Sequence, residues 1–332
     1  ANLIGRMLDP SGGDIFVDLF QGDFAAAIIS PTEDAIIVKN NDTLEVKSSA
    51  SAESSIKISI DGNVIDSAEN AKDLITSIPV DDFGKGKFWV KMTAQNGSNI
   101  WADSFYYVYP DTVSIENPPD GLVEGLNIIN DSTVIFKLYA PYKEFAFLLG
   151  DFSNWELDTD YFMKRSEDGV HFWLELGGLN PDKEYRFQYQ VEESLRIADI
   201  YSEKILDPWN DPFIPEDLYP DLTPYPVGLT NEPVSTFKIN KSEYQWDNSI
   251  NYERPDKEKL VVYEVLLRDF VEDHSYRALR DSLDYLERLG VNAIELMPIN
   301  EFEGNDSWGY NPSFYFAPDK YYGIQNNLKS LI

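Results

Sequence analysis

Aromatic side chains are concentrated in residues 305–323, which read NDSWGYNPSFYFAPDKYYG. Flat aromatic rings either fill a hydrophobic core or stack on a ligand. The prolines and polar residues between the rings do not suit a core element, so we interpret this stretch as a loop that presents aromatic surface. The aromatic residues in it are Trp308, Tyr310, Phe314, Tyr315, Phe316, Tyr321 and Tyr322.

Carboxylates form the second group that could do chemistry in this part of the chain. Glu264, Asp269, Glu295 and Glu301 lie on or just after apolar, strand-like runs. A pair of such groups could act as general acid and base, or each could be a structural hydrogen-bond acceptor. Asn305 and Asp306 offer oxygen atoms to a calcium ion, but too few oxygen ligands lie nearby to predict a metal site.

Other catalytic groups are scarce. The chain has no cysteine, which excludes disulfides, thiolate metal sites and cysteine nucleophiles. Its two histidines are His171, in a strand-like run, and His274, in a predicted loop.

Charge narrows the class of ligand. The 332 residues carry a formal net charge of −31. Nucleic acids and anionic membrane surfaces would be repelled, so neutral, cationic or metal-ion ligands are expected. Neutral sugars fit well, because carboxylates accept hydrogen bonds from hydroxyl groups. The alternative is that the acidity only aids solubility. We find no signal peptide at the start and no apolar run long enough to span a bilayer.

Turn signals and short apolar runs divide most of the chain into two β-rich blocks. AIIVKN, TLEVKSSA and SIKISIDGNVID are strand-like in the first block, and STVIFKLYAP, EFAFLLGDF, VHFWLELGGL and EYRFQYQV in the second. Short strands without convincing helices predict β-sandwiches. The predicted divisions are a leader at 1–23, an immunoglobulin-like sandwich at 24–112, a second sandwich at 113–210, a proline-rich connector at 211–258 and a C-terminal unit at 259–332.

The pattern changes after Leu260. LVVYEVLL is a continuous apolar run, as in a strand buried on both faces, and VNAIELMPI is a second such run. Gly290 separates the second run from a predicted helix and occupies the position of a helix C-terminal glycine. Strand, helix and strand with a short return predict a βαβ unit with parallel strands. The apolar helix face comprises Tyr276, Leu279, Leu283, Leu286 and Leu289.

Three segments of the C-terminal unit resemble a known family. VVYEVLLRDF, LDYLERLGVNAIELMPINEF and WGYNPSFYFAPDKYYG resemble, in order and spacing, the start of the catalytic barrel of the α-amylase superfamily, glycoside hydrolase family 13. GDFSNW, at Gly150–Trp155, resembles the early-set sandwich called carbohydrate-binding module family 48. The resemblance implies a multidomain fold: two immunoglobulin-like or early-set β-sandwiches followed by the first βαβ part of a TIM (β/α)₈ barrel.

The resemblance also implies roles for individual residues. Tyr310 would stack on the sugar ring at the cleavage subsite, with Trp308 supporting it, and Trp155 would be a glycan contact or a core residue. The four carboxylates above would be structural, because the family does not use those positions catalytically. The family's later motifs are absent here, so the catalytic residues are expected beyond Ile332 and this chain alone is expected to be inactive. The resemblance predicts no cofactor in this chain and leaves calcium open as a ligand of the full-length protein.

Two functions remain open at this stage. The first is the N-terminal portion of a retaining hydrolase or glucanotransferase acting on α-glucans or maltooligosaccharides. The alternative is a non-catalytic α-glucan-binding or spacer protein. An incomplete barrel would also expose apolar faces, which predicts non-native association between chains. We expect a periplasmic or cell-surface location in a bacterium, with a cytoplasmic location as the alternative.

Overall fold

The computed structural model describes residues 24–246 and 253–332. It is mostly β-structure, arranged in several sheets. The predicted leader at 1–23 lies outside the described residues. None of the helices in the described part of the chain has the length and apolarity of a membrane-spanning segment.

The first block forms one six-stranded sheet with its own core. The sheet order is β1-β3-β5-β6-β2, and β4 pairs with β3. The buried aromatic residues Phe105 and Tyr107 contribute to its core. The strands are β1 (Ala26–Ser30), β2 (Ala35–Ile37), β3 (Thr43–Ile60), β4 (Asn63–Pro79), β5 (Gly86–Asn96) and β6 (Asn99–Tyr109).

Strand β3 corrects one prediction. TLEVKSSA and SIKISIDGNVID were expected to contain separate strands, but Thr43–Ile60 is continuous. Inward and outward positions keep alternating through the polar centre of the strand, where Ser48 and Ser54 are buried. Small serine side chains fit inward positions there, so the strand continues where the apolar signal stops.

The second block consists of two sheets that share one core. The sheet β10-β11-β8-β7 faces the sheet β13-β12-β15-β14, in which β9 also pairs with β12. Phe136 and Phe172 from the first of these sheets meet Phe187 and Phe237 from the second in the core. The strands are β7 (Gly125–Asn130), β8 (Thr133–Tyr139), β9 (Ala146–Gly150), β10 (Lys164–Arg165), β11 (His171–Leu176), β12 (Glu184–Val191), β13 (Leu195–Ile197), β14 (Ile205–Leu206) and β15 (Val234–Lys238).

Strand β15 lies within the segment predicted to be a proline-rich connector. It pairs with β12 on one side and with β14 on the other. The second block therefore extends beyond the predicted boundary at residue 210, and residues 207–233 form a long excursion between two strands of one sheet. The excursion is packed rather than loose, since Leu218 in it is buried.

The C-terminal unit contains the predicted parallel strands. Residues Val262–Val265 of the first strand pair with Ala293–Leu296 of the second, and the helical segments lie between them in sequence. The hairpin of β18 and β19 is antiparallel. The elements are β16 (Val262–Val265), α1 (Leu267–Phe270), α2 (Tyr276–Asp281), α3 (Leu283–Arg288), β17 (Ala293–Leu296), β18 (Asn300–Phe302), β19 (Pro312–Pro318) and α4 (Gln325–Leu331).

The single predicted helix is divided in two at Ser282. The hydroxyl of Ser282 donates to the carbonyl of Ala278 at 2.8 Å, a bond that competes with the regular helical pattern. Gly290 ends the second part as predicted, with a φ of +88°. Leu289 is 57% exposed, so it does not belong to the buried helix face.

Burial of β16 on both faces was also predicted, and this is wrong for the described residues. Val261 and Val262 are about half exposed, whereas Val265 is buried. The reason is that β16 has one strand neighbour, β17, in the described part of the chain. The unit therefore presents apolar strand surface that its own described residues do not cover.

Candidate functional site

The candidate site is the aromatic loop, residues 303–311, which joins β18 to β19 after the second parallel strand. Trp308 is 60% exposed and Tyr310 is 66% exposed, while Gly309 between them is buried. The two rings that sequence analysis selected are thus available to a ligand and are separated by one residue held against the protein.

Gly309 explains why the loop has this shape. Its φ of +84° favours glycine, and a Cβ at this position would lie 2.1 Å from the carbonyl oxygen of Pro298. Its amide also donates to the hydroxyl of Ser307 at 3.0 Å. The backbone between the two rings is therefore fixed against Pro298, in the segment that joins β17 to β18.

We expect Gly309→Ala to lower the free energy of unfolding by about 1–3 kcal/mol, because the added methyl group must displace backbone. Gly304→Ala is a matched control in the same loop. Gly304 has a φ of +82°, but a methyl group added there would lie 4.0 Å from its nearest neighbouring atom, the amide nitrogen of Asp306. Urea denaturation should show a clearly larger loss for Gly309→Ala, and equal losses in the two variants would contradict this account of the loop.

Arg268 and Asn305 tie the aromatic loop to its neighbours. The Arg268 guanidinium donates to Asp306 of the loop at 2.5 Å and to both carboxylate oxygens of Asp269. These hydrogen bonds lower the pKa of Asp269. On the other side, the Asn305 amide donates to the backbone carbonyl of Asn210 at 2.9 Å. The loop is thus anchored to α1, which follows β16, and to the excursion in the second block.

The predicted structural carboxylates fall into two groups. Asp269 is bound by Arg268, and Glu301 contacts Lys320, so both act as structural acceptors as expected. Glu264 and Glu295 lie directly opposite each other in the parallel pair, and both are exposed.

A buried charge cluster lies beneath the aromatic loop. Lys320 is 2% exposed, and its Nζ contacts the carboxylate of Glu301 and lies 3.1 Å from Oδ1 of Asp211. Asp319 is also buried, and it accepts backbone hydrogen bonds from Phe302 and Tyr321. The cluster connects β18, the segment after β19 and the excursion. Sequence analysis did not select Lys320, although its position within an aromatic run was a signal that it could be buried.

Burial strongly affects how this cluster titrates. Burial raises the pKa of Glu301 to about 8 and that of Asp319 to about 6, against the opposing effect of Lys320. Burial also raises the pKa of Asp211. For Lys320, burial lowers the pKa, but the carboxylates of Glu301 and Asp211 outweigh it and raise the pKa. Lys320 therefore stays charged, and the three buried carboxyl groups keep their protons to a higher pH than exposed carboxyl groups do.

Stability should fall as the pH rises through this range. The pKa of Glu301 is raised to about 8 in the folded chain, whereas an unfolded glutamate titrates near ~4.3. Between those values the folded chain holds a proton that the unfolded chain has released, so its stabilisation is present at low pH and lost as the pH rises. Urea denaturation from pH 5 to 8 should therefore show a flatter pH dependence for Glu301→Gln. The exposed Glu258→Gln should follow the wild type, and an unchanged slope in Glu301→Gln would contradict the assignment.

Trp155 lies in the second block and is almost completely buried. It is 4% exposed and packs against Leu206 and Val234. Its indole Nε1 donates to Oδ1 of Asp151 at 3.1 Å. In this conformation the ring occupies a packing position, so glycan binding by Trp155 stays a prediction that requires the side chain to become exposed.

Each of the two histidines contacts a residue that is distant in the sequence. Nε2 of His171 lies 2.9 Å from Oε1 of Glu124. The ring of His274 stacks on Tyr321 with centroids 4.6 Å apart.

Comparison with known protein sequences identifies relatives of this chain. Over 204 residues it is 27% identical to 1,4-alpha-glucan branching enzyme GlgB 2 of Clostridium perfringens, a match that covers 60% of this chain and 29% of the relative. Its homologues are α-glucan branching enzymes and related α-amylase-family enzymes. Over 206 residues it is also 28% identical to malto-oligosyltrehalose trehalohydrolase of Saccharolobus solfataricus, covering 61% of this chain and 30% of that one.

The homologues confirm the family resemblance drawn from the barrel-like segments. The matches span less than a third of the length of these curated relatives.

Among solved structures, the GBS pullulanase SAP in complex with maltotetraose aligns with 89% of this chain and 42% of its own, at 16% identity and a TM-score of 0.46. Pullulanase from Anoxybacillus sp. LM18-11 with maltotriose aligns with 90% of this chain and 46% of its own, at 15% identity and a TM-score of 0.44. No family model matches the chain.

Proposed function

We propose that this chain is the N-terminal portion of an α-glucan-active glycoside hydrolase or glucanotransferase. In this proposal residues 24–112 and 113–240 are immunoglobulin-like and early-set sandwiches, and residues 259–332 begin a (β/α)₈ barrel. The substrates are α-glucans or maltooligosaccharides, the class to which the names of the 1,4-alpha-glucan branching relatives refer.

One observation carries the proposal within this chain. Two exposed rings, Trp308 and Tyr310, stand on a fixed loop that follows the second of two parallel strands. Active sites of (β/α)₈ barrels are built from the loops at the C-terminal ends of the strands. The apolar C–H face of a sugar ring can pack on such an aromatic surface through burial and dispersion. Tyr310 is accordingly assigned to sugar stacking and Trp308 to its support.

The uncovered surface of β16 supports the barrel assignment. Val261 and Val262 leave apolar area on a strand that has a neighbour on one side in the described residues. A closed barrel gives each strand two neighbours and fills its interior with side chains. Further barrel strands in a longer protein would bury this surface.

The proposal is tested with a protein that contains this chain together with the segment that follows it in its gene. Incubation with amylose, glycogen and pullulan should release reducing sugar or shift the iodine stain of amylose. Release from pullulan would indicate α-1,6 hydrolysis, and a stain shift without new reducing ends would indicate transfer. No change with any of these glucans contradicts the enzymatic proposal, and glucan binding without turnover would favour the non-catalytic alternative.

A further inference from the structure

A cleft of about 310 Å³ lies beside the aromatic loop, between the excursion of the second block and the β18–β19 hairpin. Its volume is at the lower end of the range found for small-molecule binding sites. The residues around it combine aromatic and aliphatic side chains with carboxylates. They include Trp209, Glu232, Glu301, Phe302, Glu303 and Phe314.

Trp209 is the most exposed of the aromatic residues that line this cleft, at 37%. The turn that carries it is fixed by Asp207, whose carboxylate accepts from the backbone amide of Trp209 at 2.7 Å and from the side-chain amide of Asn210 at 2.8 Å. A preset turn loses little conformational freedom when a ligand binds. Trp209 is therefore presented by local structure rather than exposed by chance.

The carboxylates of the cleft match a ligand that donates hydrogen bonds. Glu232 and Glu303 are exposed on its walls. Glu301 also lines the cleft, but it is 7% exposed, contacts Lys320 and has a buried Oε2, so its carboxylate is not accessible to a ligand. The described residues contain no cluster of acidic or histidine side chains arranged for a metal ion, which makes a hydroxyl group the better match.

The cleft is physically linked to the aromatic loop. Asn305 of the loop donates to the backbone carbonyl of Asn210, the residue after Trp209, at 2.9 Å. Glu303 begins the loop and also lines the cleft. A ligand that extends away from the loop can therefore meet Trp209 on an adjoining surface.

We propose that this cleft is a second sugar subsite, in which one glucose unit of an α-glucan packs on Trp209 and donates hydroxyl hydrogen bonds to Glu232 and Glu303. This subsite rests on the proposed function, because it assumes that the ligand of the neighbouring loop is an α-glucan. It extends the recognition surface from the C-terminal unit onto the second β-block. Ligands long enough to reach both places gain affinity from it.

The test is isothermal titration of maltoheptaose into the chain and its variants. Trp209→Ala should weaken binding about tenfold, which corresponds to the roughly 1.4 kcal/mol expected for lost ring contact. Trp209→Phe should retain most of the affinity. Trp246→Ala is the matched control, because Trp246 is 49% exposed and does not line the cleft.

A second variant keeps the test decisive if Trp209→Ala is poorly folded. Glu303→Gln changes an exposed side chain without altering its shape, and it should also weaken maltoheptaose binding by several fold. Wild-type affinity in folded Trp209→Ala or in Glu303→Gln would overturn the subsite and leave the proposed function intact. Absence of binding by the wild-type chain would overturn the subsite, whereas the turnover assay of the longer protein tests the proposed function separately. A loss confined to the cleft variants, with Trp246→Ala unchanged, is the result we expect.

Discussion

Replacing Lys320 with methionine is expected to lower the free energy of unfolding by about 3–5 kcal/mol at pH 8, the cost of removing one member of a buried ionic group. Lys320 is 2% exposed, and it is the cation that faces the buried carboxylates of Glu301 and Asp211. Methionine fills a similar volume but leaves those carboxylates without a positive partner. Urea denaturation followed by tryptophan fluorescence measures the loss.

The matched control is Lys259→Met. Lys259 forms an ion pair with Asp256 at 2.8 Å, but its side chain is 76% exposed, so the expected loss is below about 1 kcal/mol. The loss in Lys320→Met should also shrink at pH 5.5, because Glu301, whose pKa is raised to about 8, is then protonated. Similar losses in the two variants, or a loss independent of pH, would contradict the buried cluster.

Replacing Tyr310 with alanine is expected to weaken maltoheptaose binding by about tenfold or more. Tyr310 is 66% exposed on a loop fixed by Gly309, so its ring is free to cover one sugar face. Losing that contact removes about 1.5–3 kcal/mol of burial, which corresponds to roughly a ten- to hundredfold change in the dissociation constant. Isothermal titration measures the change, and Tyr310→Phe should bind nearly as well because it keeps the flat ring.

Tyr139→Ala is a suitable control for surface tyrosines in general. Tyr139 is 58% exposed on β8, in a different part of the chain. Its loss should leave the affinity unchanged. If Tyr310→Ala and Tyr139→Ala bind maltoheptaose equally well, the aromatic loop is not the glucan contact.

Sequence patterns predicted the elements whose structure depends on residues that are close together in the chain. The continuous apolar runs around Val262 and Ile294 predicted the parallel pair, and Gly290 predicted the end of the helix. Exposure of Trp308 and Tyr310 agrees with the loop predicted for residues 305–323, but that prediction is wrong for Pro312–Pro318, which forms β19, and for Tyr322, which is 1% exposed. For the correct predictions the residues that determine the structure are neighbours in the sequence.

Features that depend on distant partners could not be predicted in the same way. Lys320 looks like a surface residue in sequence, and its burial depends on Asp211, which lies far earlier in the chain. Strand β15 was hidden within a proline-rich segment, because its strand character is decided by pairing with β12 and β14. Nothing local in the sequence indicates that Trp209 lies beside a cleft, because the cleft forms only where the second block meets the β18–β19 hairpin.

The proposal that this chain recognises α-glucans through its aromatic loop can be examined by affinity electrophoresis. The wild-type chain and Tyr310→Ala are run in native gels that contain glycogen, a β-linked glucan or no polysaccharide. We predict that glycogen alone retards the wild-type chain and that Tyr310→Ala migrates faster than the wild type in that gel. Equal mobility of the folded wild-type chain in all three gels would contradict the claim.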